Sequence, residues 1–290
     1  MAVTSARQMR DASDAEVDRL VRPLIAARLF ADEATLRAVH HARPWAIQVN
    51  DRGDVAVLDR WRDHLDLLAI EALWCPHRHT AAAIADLGAC ASRHGYSGLV
   101  SPPVLEADVP IYRCAGLVVR ELLETLELTV GTHIGGTAGK PGVRTASEAD
   151  VPAILEVDAA CFEPFWRYDR RLLDRFCDSG ELSLIERDGR CLGYTLVTVH
   201  RDSAVLGRLC VDTSFRRQGV GTRLLDSAID RAVGAGARYL TLSTQTGNEI
   251  ALALYRSAGF RLTGRRYAFL TLGSDVRGGE VDRIGALMGD

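Results

Sequence analysis

The stretch from Arg208 to Gly221 constrains this chain more than any other. It reads Arg-Leu-Cys-Val-Asp-Thr-Ser-Phe-Arg-Arg-Gln-Gly-Val-Gly, an apolar strand passing into a basic turn that carries two glycines. After Gly221, the apolar positions Leu225, Ile229 and Ala232/Val233 recur at helical spacing, while Arg223, Asp226 and Asp230 take the opposite face. A helix therefore begins at the turn. Its first backbone N–H groups have no partner within the helix, and the aligned peptide dipoles place about half a positive charge at that end. Gly219 and Gly221 remove side chains that would hold a pyrophosphate off the backbone, and Arg216 and Arg217 add positive charge beside it. The stretch reads as a phosphate-binding loop, although a tight strand-to-helix connection shares its outline.

A second pattern follows at Asn248-Glu-Ile-Ala-Leu-Ala-Leu-Tyr255-Arg-Ser-Ala-Gly-Phe260. Arg216-Arg217-Gln218-Gly219-Val220-Gly221 resembles the acetyl-CoA loop R/Q-x-x-G-x-G/A of the GNAT superfamily of acyl-CoA N-acyltransferases, and Asn248 to Phe260 resembles its second signature, N-x-x-A-x-x-L-Y-x-x-x-G-F. The likeness covers residues 143–272. It implies acetyl-CoA as co-substrate, no metal, and direct transfer of an acetyl group to a primary amine. It also implies an α/β (α+β) fold of two GNAT-like domains, each a mixed, mostly antiparallel sheet flanked by helices. By the same resemblance Arg216, Arg217, Gln218, Gly219, Val220, Gly221 and Thr222 hold the pyrophosphate. Leu209, Cys210 and Val211 line the thioester through their backbone amides, Asn248 approaches the cofactor, and Tyr255 matches the acid that protonates the leaving thiolate. Asn248 is equally suited to capping its helix, and Tyr255 to packing between helix and sheet.

The base is where the chain departs from the family. Many members place a glutamate on the strand before the loop, and Gly207-Arg208-Leu209-Cys210 offers none. Glu163 leads the remaining carboxylates because it precedes Pro164-Phe165-Trp166, in a loop that tends to form part of the acceptor site in GNAT proteins. Phe165 and Trp166 are accordingly candidates for contact with the acceptor. A small-molecule amine is the first expectation for that acceptor and a protein amine the second, with a non-catalytic acyl-CoA-binding regulator as the reading from another class.

Composition narrows the field. The chain has 290 residues and a formal charge of −3, with no block of like charges suited to nucleic acid or a membrane surface. Neither partner is expected. No run is apolar enough to span a bilayer and the first residues lack the core of a secretion signal, so a cytoplasmic location is expected. Seven cysteines at irregular spacings fit free thiols better than a disulfide framework. Lys140 as the sole lysine points to a bacterial genome rich in GC.

The first half reads as a divergent copy of the second. Ile111-Tyr-Arg-Cys-Ala-Gly-Leu117 repeats Leu254-Tyr-Arg-Ser-Ala-Gly-Phe260, and the hairpin Ala46 to Leu58 mirrors the hairpin Leu182 to Val199. Where the copy should hold its phosphate loop it has Cys75-Pro-His-Arg-His-Thr80, with Arg78 and Thr80 opposite the two glycines, so cofactor binding is expected in the second half alone. The glycine-rich stretch Gly131 to Gly142 suits a linker. The expected domains are residues 1–138, degenerate and preceded by helices, and 139–290, catalytic. Expected strands include Leu67–Leu73, Gly98–Val100, Val143–Arg144, Tyr239–Ser243 and a last one at Ala268–Leu272.

Overall fold

The computed structural model of the chain describes residues 8–130 and 142–273; the expected linker, apart from Gly142, lies outside them. The chain divides into two compact units. Unit 1 is Met1–Leu122 together with Tyr267–Asp290, and unit 2 is Leu123–Arg266. This differs from the boundary at 138/139. The reason is that each unit takes one strand segment from beyond that boundary.

Unit 1 contains strand β1 (Arg10–Asp11), helices α1 (Asp14–Ala26) and α2 (Glu33–Ala42), and strands β2 (Ile47–Val49), β3 (Val55–Arg60) and β4 (Leu67–Trp74). Helix α3 (His77–Arg93), strands β5 (Gly98–Val100) and β6 (Val104–Leu105) and helix α4 (Val109–Cys114) follow. Helix α1 ends at Ala26, three residues after Pro23, and α2 starts anew with Asp32 accepting from the Thr35 N–H. The β2–β3 hairpin turns at Gly53, whose φ of +83° is the left-handed conformation glycine tolerates. Strands β1 to β4 pair in antiparallel order, β4 and β5 are parallel, and β5 is closed antiparallel by Thr271 and Leu272 from the end of the chain. Ala268 and Leu270 enter the core with Ile70, Ile84, Leu87 and Leu99.

Two long strands run from one unit into the other: β7 (Val118–Thr129) and, at the end of the chain, β13 (Arg261–Leu272). Unit 2 takes residues 123–129 of β7, then β8 (Val143–Thr145), α5 (Val151–Cys161), α6 (Arg170–Asp178), β9 (Leu182–Arg187), β10 (Arg190–His200), β11 (Ser203–Val211), α7 (Val220–Gly234), β12 (Tyr239–Gln245) and α8 (Glu249–Ser257). Its strand order is β7-β12-β11-β10-β9-β8, antiparallel except for β11 with β12. Helix α7 covers one side with Leu225, Ala228, Ile229 and Ala232, while α5 covers the other with Val151, Ile154 and Val157. Each unit is thus a mixed, mostly antiparallel sheet with helices against it.

Candidate functional site

The site begins at an irregularity in unit 2. Strands β11 and β12 pair in parallel only over Ser203–Leu206 and Tyr239–Leu242, although β11 runs on to Val211 and β12 to Gln245. On its other edge, β11 slips register against β10 between Leu206↔Val197 and Arg208↔Leu196, leaving Gly207 as the extra residue of a bulge. A bulge bends its strand and increases the local twist. It sits where pairing with β12 ends, so the two strands part beyond it. Each is supported from behind: Leu209 to Val211 pair with Thr195, Tyr194 and Gly193 on β10, and Ser243 to Gln245 pair with Thr125 to Leu123 on β7. The result is a wedge whose facing backbone edges, from Leu209, Cys210 and Val211 on one side, are not paired across the gap. Gly193 permits the close approach of β10 beneath it, since a Cβ there would lie 2.4 Å from Cys210 O and 3.0 Å from Leu224.

The basic loop stands at the open end of this wedge. Asp212 accepts from the Ser214 N–H and pairs with Arg190 at 2.8 Å, starting a short 3₁₀ turn over Thr213–Phe215. The chain then reverses through Arg217 (φ +59°) and Gly219 (φ +78°), and Gly219 occupies the N-cap position of α7. Arg223 N–H gives the first bond into Gly219 O, at 3.1 Å. The N–H groups of Val220, Gly221 and Thr222 precede it, so they lack partners within the helix. Arg216, Arg217, Gln218 and Thr222 are exposed around them, and Gln218 Nε2 is tied back to Ser214 O at 3.2 Å. A Cβ at Gly219 would meet nothing within 4 Å, which leaves open space over the amides. These residues fit a diphosphate: bare N–H donors, a helix dipole and two guanidinium groups.

Asn248 caps α8, its Oδ1 accepting from the Ala251 N–H at 3.2 Å. Tyr255 projects from α8 into the core beside Leu252, Leu242 and Phe260, with its ring 5.8 Å from that of Phe260. The residue is 7% exposed, and burial pushes its phenol up to about 12, so the hydroxyl is a neutral donor at any physiological pH.

On the α5 side of β11 lies a feature that the sequence reading passed over. Arg208 is 8% exposed and Asp158 not at all, and the two pair at 2.9 Å. Asp158 also receives the Tyr194 hydroxyl and the Tyr168 N–H, the latter at 2.8 Å. Arg208 Nη2 donates to Trp166 O at 2.5 Å, and its guanidinium lies between the rings of Phe162 and Tyr168, 3.7 and 3.9 Å from their centroids. Burial pushes the Tyr194 hydroxyl well up, keeping it a neutral donor to Asp158. These bonds fix residues 162–168 over β11. Phe165 and Trp166 are 4% and 7% exposed and meet edge to face at 4.9 Å, so they are packed within that loop, whereas Glu163 is exposed at its start. The clue to this network was an arginine at an inward-facing strand position, since a buried charge demands a partner.

In unit 1, β4 and β5 likewise pair in parallel over only Leu67–Ala69 and Gly98–Val100, while β4 continues to Trp74. The following helix already begins at His77, so Arg78 and Thr80 are helical and Thr80 is buried with its hydroxyl 3.5 Å from Cys75 Sγ. The unit keeps the wedge plan without a glycine loop. Among the described residues there is no His/Cys/Asp/Glu group able to hold a metal, and no helix long and apolar enough to cross a membrane.

Comparison with known proteins agrees with this geometry. Residues 151–260 match the acetyltransferase (GNAT) family. A [ribosomal protein bS18]-alanine N-acetyltransferase of Salmonella typhimurium strain LT2 is 31% identical over 117 residues, 39% of this chain and 76% of that protein. N-alpha-acetyltransferase 30 of Schizosaccharomyces pombe is 26% identical over 132 residues, 44% of this chain and 86% of that protein. In fold, a tandem GNAT protein from the clavulanic acid biosynthesis pathway superposes with a TM-score of 0.55 at 17% identity, covering 76% of this chain and 78% of that one. With its wedge, its glycine-capped basic loop and its two units of one plan, the chain belongs to the GNAT family and is an acetyl-CoA-dependent acetyltransferase of tandem fold.

Proposed function

We propose that unit 2 transfers the acetyl group of acetyl-CoA to the free α-amine of a protein or peptide N-terminus. The observation that carries this reading is the parted β11–β12 wedge leading to the bare amides of α7, in a chain whose relatives are named as a ribosomal-protein alanine N-acetyltransferase and an N-alpha-acetyltransferase. Of the two acceptors expected from the sequence, small molecule and protein, the relatives' names favour the second.

Physical chemistry supports the α-amine in particular. At pH 7 an α-amine of pKa about 7.8 loses its proton for about 1 kcal/mol, whereas a lysine amine costs about 4–5 kcal/mol. The strand before the loop carries Arg208 and no glutamate over Gly207 to Cys210, and Glu163 is an exposed carboxylate. An acceptor that needs only weak assistance suits such a site, with Glu163 or water taking the proton. Acetyl-CoA supplies the activated acyl group. In this reading, Arg216, Arg217 and the N–H groups of Val220, Gly221 and Thr222 bind its diphosphate, and Asn248 approaches its chain. An N–H of Leu209, Cys210 or Val211 steadies the oxyanion, and Tyr255 gives a proton to the departing sulfur. Unit 1, lacking the loop, binds no second acetyl-CoA.

The test is a competition among a peptide with a free N-terminal alanine, the same peptide with a blocked N-terminus and an internal lysine, and a panel of small amines. Mass spectrometry of the products should show acetylation of the free N-terminus well ahead of the others. Turnover of small amines with none of either peptide would sink the reading.

A further inference from the structure

Two thiols meet where α5 faces the end of β11. Cys161 closes α5, and its Sγ donates to Val211 O at 3.2 Å; Cys210 precedes Val211, and its Sγ donates to Val157 O, one helical turn before Cys161, at 3.7 Å. Each thiol therefore lies against the backbone beside the other cysteine, which brings the two side chains together where α5 meets β11.

Their surroundings differ in a useful direction. Cys210 is 3% exposed, whereas Cys161 is half-buried. The neighbouring Cys210 thiol, and after it the guanidinium of Arg216, holds the Cys161 thiol below its ordinary range. Cys210 is pushed up by Cys161 and by burial, and burial also raises Cys75, Cys90, Cys177 and Cys191. Because the thiolate is the reacting form, the less buried thiol, Cys161, is the one suited to attack, with the buried Cys210 beside it. An attacking and a resolving cysteine need this division of roles.

We propose that Cys161 and Cys210 are a peroxide-sensitive pair that closes to an intramolecular disulfide between α5 and β11. In the first step the Cys161 thiolate attacks one oxygen of hydrogen peroxide; the O–O bond breaks, hydroxide leaves and takes up a proton, and Cys161 becomes a sulfenic acid. In the second, the Cys210 sulfur attacks the Cys161 sulfur; the S–S bond forms, the S–O bond breaks, and the hydroxyl departs as water with the Cys210 proton. The two thiols lose two electrons and the peroxide gains them.

The bridge removes the Cys161 bond to Val211 O, an oxygen that also accepts from Arg216 Nε at 3.4 Å. Oxidation is thus felt in the basic loop, and acetyl-CoA should bind more weakly to the oxidised protein. Formation of the bridge depends on the thiols alone and is independent of which amine unit 2 acetylates.

Full-length reduced protein, titrated with hydrogen peroxide, alkylated and digested, tests the proposal by peptide mapping. The Cys161–Cys210 peptide should appear before other thiols are modified and should vanish with dithiothreitol. In Cys210→Ser, dimedone should trap the Cys161 sulfenic acid. Calorimetry should show acetyl-CoA affinity falling several-fold on oxidation and returning on reduction. Oxidation of Cys161 to sulfinic acid without a bridge, or first oxidation at the exposed Cys114, would overturn the proposal. A bridge that left acetyl-CoA affinity unchanged would overturn its link to the loop. The mapping involves no acceptor, so its failure is separable from failure of the acetylation assay.

Discussion

Arg208 can remain charged inside unit 2 because Asp158 is there to meet it, and Asp158 is wholly buried because Arg208, Tyr194 and Tyr168 meet it. Removing one side of such a pair strands the other charge, at about 3–5 kcal/mol. Asp158→Asn should therefore lower stability by that order in urea unfolding monitored by the fluorescence of Trp166. A loss under about 1 kcal/mol would mean that the network is dispensable. Tyr255→Phe probes chemistry instead. It should lower kcat by ~10²–10⁴-fold while leaving acetyl-CoA affinity nearly unchanged, because the ring's packing survives and only the proton donor goes. With the Tyr255 phenol pushed up to about 12, it stays protonated until strongly alkaline pH, so the rate should rise with pH as the acceptor amine deprotonates and show no fall from Tyr255 below about pH 11. A falling limb near pH 9 would argue against that assignment. Tyr255 and the basic loop were legible because each lies in a short, contiguous pattern. The Arg208 network was not, because Asp158 lies 50 residues earlier and Tyr194 14 residues earlier, and only folding joins them.

At the level of elements, α7 depends on one backbone conformation. Gly219 has open space around it, so an added Cβ clashes with nothing and its whole cost is the left-handed φ of +78°. That cost is about 1–2 kcal/mol for an alanine. Gly219→Ala should show a modest drop in Tm and a larger loss in acetyl-CoA affinity, since relaxing φ turns the amides away from the diphosphate. Equal affinity by calorimetry would remove Gly219 from the binding loop. Helix α1 offers a pH test. Bonds from Arg10 and from the Ser13 N–H hold Glu16 at about 2, below its unfolded value. A depressed carboxylate stabilises above the unfolded pKa of about 4.3 and loses that contribution as pH falls toward 2. Glu16→Gln should flatten the acid side of the stability curve in that window, by a small amount because the pair is solvent-exposed. Most helices and the central strands were legible from periodicity and turn residues. Strand β7 was not: Val119, Leu122, Leu123 and Leu126 recur at helical spacing, and residues 261–266 of β13 are too polar to announce a strand.

At the scale of the molecule, the 138/139 boundary cuts through a structural dependence. Residues 123–129 of β7 pair with the whole of β12, so a fragment of 139–290 leaves that strand with a bare edge. A fragment of 123–266 keeps all of unit 2. The longer start should give a single cooperative unfolding transition and a monomer on size exclusion, while 139–290 should aggregate or melt lower. Identical melting of the two would show that β7 adds nothing to unit 2. The duplication was legible because both halves repeat a hairpin and a Tyr-Arg-x-Ala-Gly string. The exchange of strand segments was invisible, since pairing over more than a hundred residues leaves no local mark.

That exchange also sets a timetable for synthesis. Unit 2 is one uninterrupted segment and can close once residue 266 has left the ribosome, but unit 1 lacks the partner of β5 until Thr271 and Leu272 emerge. The part of the protein made first is therefore finished last. Throughout translation of the intervening residues, β5 waits with an unpaired edge, and a nascent chain in that state invites the wrong strand from a neighbouring polysome product. A released chain that ends at Arg266 should leave residues 1–122 sensitive to protease while 123–266 is protected.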